Sequence, residues 1–182
     1  MSRLDLSDKG LTFLPPLPED LEELNCSFNS LTSLPSLPKG LKELNCSNNQ
    51  LTSLPLLSEG LKVLNCSGNR LNSLPPLPKE LEEINCSDNQ LTSLPSLPGG
   101  LKVIWCSGNL LISLPLLPER LTIFYSNNIT KYKNLSIQEI RQLQLKEASA
   151  IRIQRAWTKY WYYPDKEGIS RYSKYMAQVD LL

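Results

Sequence analysis

Leu21-Glu22-Glu23-Leu24-Asn25-Cys26-Ser27-Phe28-Asn29-Ser30-Leu31 is a frame that the chain writes five times. It begins again at Leu41, Leu61, Leu81 and Leu101, and each copy runs on into Leu-Pro-x-Leu, as in Leu34-Pro35-Ser36-Leu37-Pro38. The period is 20 residues, without a slip. A looser copy starts at Leu4, with Leu6 in place of the cysteine and Lys9 in place of Asn29. Another starts at Leu121 and loses the frame between Ser126 and Ile129. Twenty residues cannot enclose a core alone. A fixed period of this length predicts coils of a solenoid, each burying its apolar side chains only against its neighbours.

Within a coil, Leu24 and Cys26 alternate with Glu23 and Asn25, the period of a short strand with one face buried. Equivalent strands one period apart stack into a parallel sheet. The proline-rich half of each coil cannot be helical, because a proline recurs every few residues and disfavours helical geometry in the residue before it. It reads as extended, polyproline-like backbone on the outer side. The fold class is therefore mainly β: a solenoid over residues 1–130 of about seven coils, the first and last degenerate.

The pattern L-x-x-L-x-C-S-x-N-x-L-x-x-L-P-x-L-P resembles the leucine-rich-repeat family. More narrowly, it is similar to the 20-residue class of secreted bacterial effectors and to repeat proteins of giant DNA viruses. That resemblance implies a curved ribbon whose concave parallel sheet binds protein. It also implies that Asn29, Asn49, Asn69, Asn89 and Asn109 form an internal ladder, with side-chain amides satisfying buried backbone groups that need partners.

Cys26, Cys46, Cys66, Cys86 and Cys106 hold one repeat position and so form a column in the core. Neighbouring strands lie about 4.8 Å apart, whereas disulfide Cβ atoms sit about 3.8 Å apart. The chain has no histidine to complete a metal site. Buried, reduced packing residues are the expectation, with no cofactor. The charge column Glu19, Lys39, Glu59, Lys79, Gly99, Glu119 predicts attraction between adjacent coils.

The outward strand positions read Glu23/Asn25, Glu43/Asn45, Val63/Asn65, Glu83/Asn85, then Val103/Trp105 and Ile123/Tyr125. The asparagines of this second column either meet a partner or hydrogen-bond along the sheet. Val63, Val103, Trp105, Ile123 and Tyr125 are candidate partner-binding residues, because an apolar, aromatic patch on a surface marks an interface. The alternative is that the chain after residue 130 folds back and covers them.

That later chain has another composition. Up to Thr130, acidic residues outnumber basic ones 13 to 9; from Lys131 on, basic residues outnumber acidic ones 10 to 5. Ser136-Ile137-Gln138-Glu139 is a capping box, and neither proline nor glycine follows before Pro164. One helix is predicted within 131–163, with a bend near Lys146–Ser149 where its apolar stripe rotates. Around Ile153, Gln154, Arg155, Trp157 and Trp161 it resembles an IQ motif, which implies a calmodulin-like ligand. Thr158, Lys159 and Tyr163 depart from that motif. The same element also reads as a cap for the solenoid end, or as a helix for a membrane surface. Residues 164–182 read as a tail that orders against something else. The first coil has no evident cap, which points to self-association or capsid contacts through the uncapped ends.

A formal net charge of +1 gives no electrostatic case for nucleic acid. No apolar run is long enough to span a bilayer, and Met-Ser-Arg-Leu-Asp-Leu lacks a signal-peptide core. An odd number of cysteines, five, argues against a disulfide framework. The expected location is intracellular, in the host cytoplasm or a virion. No base, nucleophile or phosphate loop is arranged as an enzyme needs. The expected function is a non-catalytic protein-interaction module of viral origin, with a structural assembly component or a bacterial effector-like binder as alternatives.

Overall fold

A computed structural model describes residues 2–126 and 135–162. Seven short strands form one parallel sheet in simple sequential order: β1 (Ser2–Asp5), β2 (Leu21–Asn25), β3 (Glu43–Asn45), β4 (Val63–Asn65), β5 (Glu83–Asn85), β6 (Val103–Trp105) and β7 (Ile123–Tyr125). From β2 onward each residue pairs with the one twenty positions later, as Leu24 with Leu44 and Asn85 with Trp105. Only the β1–β2 pairing slips, between Ser2 and Arg3. The Leu-Pro segments between strands carry no regular secondary structure.

The core is a set of columns. Leu21, Leu24, Cys26 and Leu31 are buried, and so are Leu41, Leu44, Cys46 and Leu51, and their equivalents in every coil through Leu101. Each leucine taken fully out of water contributes about 1.5–3 kcal/mol. In the first coil the equivalent Leu4, Leu6 and Leu11 are only half-buried. Among the described residues, only the coil of β2 packs beside them.

The turn after each strand strips backbone groups of water, and the inner asparagines restore partners to them. The Nδ2 of Asn49 donates to the carbonyls of Cys46 (3.1 Å) and Ser47 (3.2 Å) in its own coil and of Cys26 (3.0 Å) in the preceding one. Its Oδ1 accepts from Leu31 N–H at 3.0 Å. Asn69, Asn89 and Asn109 repeat this pattern, and Asn29 reaches the carbonyl of Leu6 at 2.8 Å and the amide of Leu11 at 2.9 Å. An unpaired buried backbone group costs about 1–3 kcal/mol, so each asparagine ties two coils together.

The residue just before each ladder asparagine, and Asp8 before Lys9 at the same place in the first coil, lies in the left-handed region: Asp8, Phe28, Asn48, Gly68, Asp88 and Gly108 have φ between 53° and 64°. Glycine is needed where the preceding side chain leans over the turn. A Cβ at Gly68 would come within 2.7 Å of Asn48 Oδ1, and Asp88 stands over Gly108 in the same way.

The ion pairs differ from the expected column. Glu19, Lys39, Glu59 and Lys79 make none among the described residues; the pairs found are Lys42–Glu22 at 2.8 Å, Lys102–Glu82, and a looser Arg3–Glu23 at 3.9 Å. The reason is anchoring. Lys42 N–H donates to the Glu22 carbonyl and Lys102 N–H to that of Glu82, so these side chains start in register. Glu19, Glu59 and Lys79 sit exposed in turns, where pairing gains little over water.

The chain divides into two compact units between Ile137 and Gln138. The second is built on α1 (Ile137–Tyr162), a helix of 26 residues. It runs without a break through Lys146–Ser149. Ala148 and Ala150 are the strongest helix formers, and no glycine or proline interrupts them. Ile140 and Gln144 are buried, whereas Ala148 and every described side chain from Ala150 to Ala156 are exposed. The tail 164–182 lies outside the described residues, as does the linker 127–134.

Candidate functional site: the concave sheet face

The side chains of each strand that do not enter the core stand in two columns on the open face of the sheet. The inner cysteines behind them are all free thiols. Burial pushes Cys26 up to about 12 and Cys106 up to about 11, and holds Cys46, Cys66 and Cys86 higher still. The Cys86 and Cys106 thiols donate to the Trp105 and Tyr125 carbonyls at 3.4 Å. Protonated, sequestered thiols are poor nucleophiles and poor metal ligands. Among the described residues, no group of three His, Cys, Asp or Glu could hold a metal ion. No helix among them is long and apolar enough to cross a membrane.

The outward asparagines are fixed mainly by bonds within their own turns. Asn25 Oδ1 accepts from Ser27 N–H (3.2 Å) and Ser27 Oγ (2.7 Å), a local Asx turn. Asn45 and Asn65 repeat both bonds with Ser47 and Ser67, and Asn85 repeats the amide bond with Ser87 at 3.1 Å. Asp5 does the same in the first coil, and the Ser7 hydroxyl holds its carboxyl below the usual carboxylate range. Each asparagine therefore closes its own turn with its oxygen. The Asn25 side chain also helps to lower the Asp5 carboxyl, its register partner on β1. Together with Arg3, Glu23, Glu43 and Val63, Asn25, Asn45 and Asn65 line a shallow groove of about 330 Å³ over β1–β4.

At β6 and β7 the columns change. Trp105 stands where the earlier coils have asparagine and is half-buried; Tyr125 follows it in register and is 62 % exposed. Ile123 is 41 % exposed. Val63 is half-buried. Val103 differs from the expectation of an outward contact residue: only 8 % of it is exposed, a short side chain between the longer Glu83 and Ile123 in register. On α1, Ile153, Gln154 and Arg155 are exposed. The side chains of Trp157 and Trp161 lie outside the described residues.

Sequence reasoning missed Leu110, Ile112 and Leu116, all exposed and apolar, in the same coil as Trp105. The signal was available for the first two. Leu110 replaces Ser30, Gln50, Arg70 and Gln90, and Ile112 replaces Thr32, Thr52, Asn72 and Thr92.

Parallel strands at a twenty-residue interval, an inward asparagine ladder and an extended proline-rich outer side define a leucine-rich-repeat solenoid, the architecture of a protein-interaction module. The family described as Leucine Rich repeats (2 copies) matches residues 19–59, 39–79 and 59–99. Among solved structures, the chain is similar to a Shigella effector leucine-rich-repeat domain, with 38 % identity, a TM-score of 0.63, and coverage of 69 % of this chain and 61 % of that one. It is similar to YopM from Yersinia pestis, with 38 % identity and a TM-score of 0.66 over 70 % of this chain and 43 % of that one. YopM from Yersinia enterocolitica matches at 34 % identity and a TM-score of 0.61, over 71 % and 33 %. The repeats are thus of the kind these bacterial effectors carry. The chain spans less than two-thirds of the length of each of these structures. A comparison with curated proteins gave no match.

Proposed function

We propose that this protein binds another protein on its concave sheet face, with the apolar end of that face as the main anchor. One observation carries the reading: Trp105, Ile123 and Tyr125 present aromatic and aliphatic surface on the two strands where the polar columns stop. Tryptophan and tyrosine bury large area at low entropic cost, and they dominate measured binding hot spots. The preceding coils supply a rigid, prepaid platform, so little conformational freedom is lost on binding. A viral source acting on host or virion proteins goes with the combination of this repeat and an IQ-like helix; an effector-like binder is the alternative source, with the same surface.

The test is photo-crosslinking in cells. Benzoylphenylalanine at Tyr125 should give a discrete adduct with a protein partner, while the same probe at Thr52, exposed on another face of its coil, should give none. Adducts at both positions alike, or at Thr52 alone, contradict the reading.

The exposed Ile151 and Ile153, flanked by Arg152 and Arg155, favour a second reading in which α1 is a ligand for a calmodulin-like protein. Capture on calcium-loaded calmodulin should then be lost in Ile153→Glu. Equal retention of wild type and variant removes this reading.

A further inference from the structure

Glu83 occupies an unusual place on the concave face. On β5 it is paired in register with Val63 on one side and Val103 on the other. Glu82 beside it is bound by Lys102, and Glu23, at the far end of its column, by Arg3, while Glu43, two strands away across Val63, makes no ion pair among the described residues. Glu83 makes no ion pair among the described residues. Its diagonal neighbour on β6 is Trp105, since Asn85 lies opposite Trp105, and Tyr125 comes next in that column. Diagonal neighbours on adjacent strands sit about 7–8 Å apart, within reach of long side chains.

A carboxylate flanked by two valines, diagonal to a half-buried tryptophan with an exposed tyrosine next in that column, has the composition that recognises a cation on a long apolar stem. The cation meets the carboxylate, and its stem and flat head cover the rings. We infer that Glu83, Trp105 and Tyr125 form a receptor for an arginine side chain, presented by a partner segment whose adjacent residues are apolar and cover Ile123. This rests on the concave face being the binding surface and names the chemistry it selects. Arginine suits the site better than lysine, because a planar guanidinium can pair with the carboxylate and stack on a ring at once, whereas an ammonium is a compact, strongly hydrated point charge.

The test uses the full chain and two synthetic peptides. Each has one central position flanked by two leucines on either side, filled by arginine in one peptide and by citrulline, its neutral isostere, in the other. Binding is followed through the indole N–H resonance of Trp105, assigned by its loss in Trp105→Phe. The arginine peptide should bind on the order of tenfold more tightly than the citrulline peptide, the combined size of a partly exposed ion pair and a cation–π contact. Glu83→Gln should shrink that preference to the share left by the cation–π contact, about two- to threefold, without moving the unfolding midpoint. Tyr125→Ala should weaken both peptides together. Equal affinities in the wild type, no binding of either peptide, or a preference undiminished in Glu83→Gln overturns the inference. If the peptides behave alike while the Tyr125 probe still captures a protein, the arginine receptor falls and the binding face stands; if the probe also fails, both fall.

Discussion

The coils from β2 to β5 and the coil that begins at Leu101 are the same object on the inside and different objects on the outside. Leu101, Cys106 and Asn109 are buried like Leu41, Cys46 and Asn49, and Asn109 makes the same bonds to Cys86 and Cys106 that Asn49 makes to Cys26 and Cys46. Outside, tryptophan replaces asparagine at 105, leucine replaces serine, glutamine or arginine at 110, and isoleucine replaces threonine or asparagine at 112. None of these changes improves the core. A coil that keeps every inward residue and turns apolar on the surfaces facing water gains nothing for its own stability. Its outer residues answer to something else. The division of labour is by column: inward columns hold the coils together, and outward columns carry the proposed recognition.

That division can be broken or sharpened experimentally. The largest effect comes from the thiol column. Folded cysteines whose pKa values are raised by burial stay protonated, while unfolded ones ionise around 9.0. Their stabilising contribution is complete below that pH and is lost as pH rises towards the folded values. Each thiol should cost about 1.4 kcal/mol per pH unit above its unfolded value, so urea unfolding should show a steep alkaline loss. Cys66→Ala should flatten that slope by about one fifth. A slope unchanged in the variant would show that the column is not the cause.

Next in size is the contrast between the two asparagine columns. Asn69→Ala leaves the Leu51 amide without a partner in the interior and takes one of two donors from the Cys46 carbonyl, which keeps Asn49, and should cost about 2–3 kcal/mol. Asn65→Ala loses only an Asx turn whose groups can reach water and should cost about 1 kcal/mol or less. Chemical unfolding at neutral pH decides between them, and equal losses would erase the inside–outside distinction. A smaller effect, about 1–2 kcal/mol, is expected for Gly68→Ala, because φ there is 63° and Asn48 Oδ1 stands in the way. Adding Asn48→Gly should return the steric part of that loss. The smallest is Lys102→Ala. Its pair with Glu82 is about half exposed, so the loss should be under about 1 kcal/mol and should fade in high salt.

The fold was legible because one period fixes two things at once. A repeat of 20 residues sets the strand register, and alternation at Leu24 and Cys26 sets which face is dry. Other features are not periodic and escaped. Whether Glu22 or Glu19 finds a lysine depends on which of them is anchored by a coil-to-coil backbone bond, and the pattern of signs favoured the wrong column. The role of Asn25 depends on Ser27 standing two residues on to capture its oxygen, a local competition that a column view overlooks. Val103 was read as outward by parity, yet parity says only which side a residue leaves from; its short side chain is covered by longer neighbours. Leu110, Ile112 and Leu116 lie in the irregular half of the coil, where no alternation marks inside from outside. For Leu110 and Ile112 the departure from the other coils' residues was the only signal, and Leu116, which repeats Leu56, gave none.

The central claim separates stability from recognition within one coil, and a double substitution that restores the repeat's own residue tests it. Trp105→Asn with Tyr125→Asn should leave the urea midpoint within about 1 kcal/mol of wild type, as substitutions of surface residues do. The same variant, carrying the photo-probe at Ile123, should lose the partner adduct that the wild-type background gives with that probe. A folded midpoint that collapses while the adduct persists would place these aromatics in the scaffold and contradict the account.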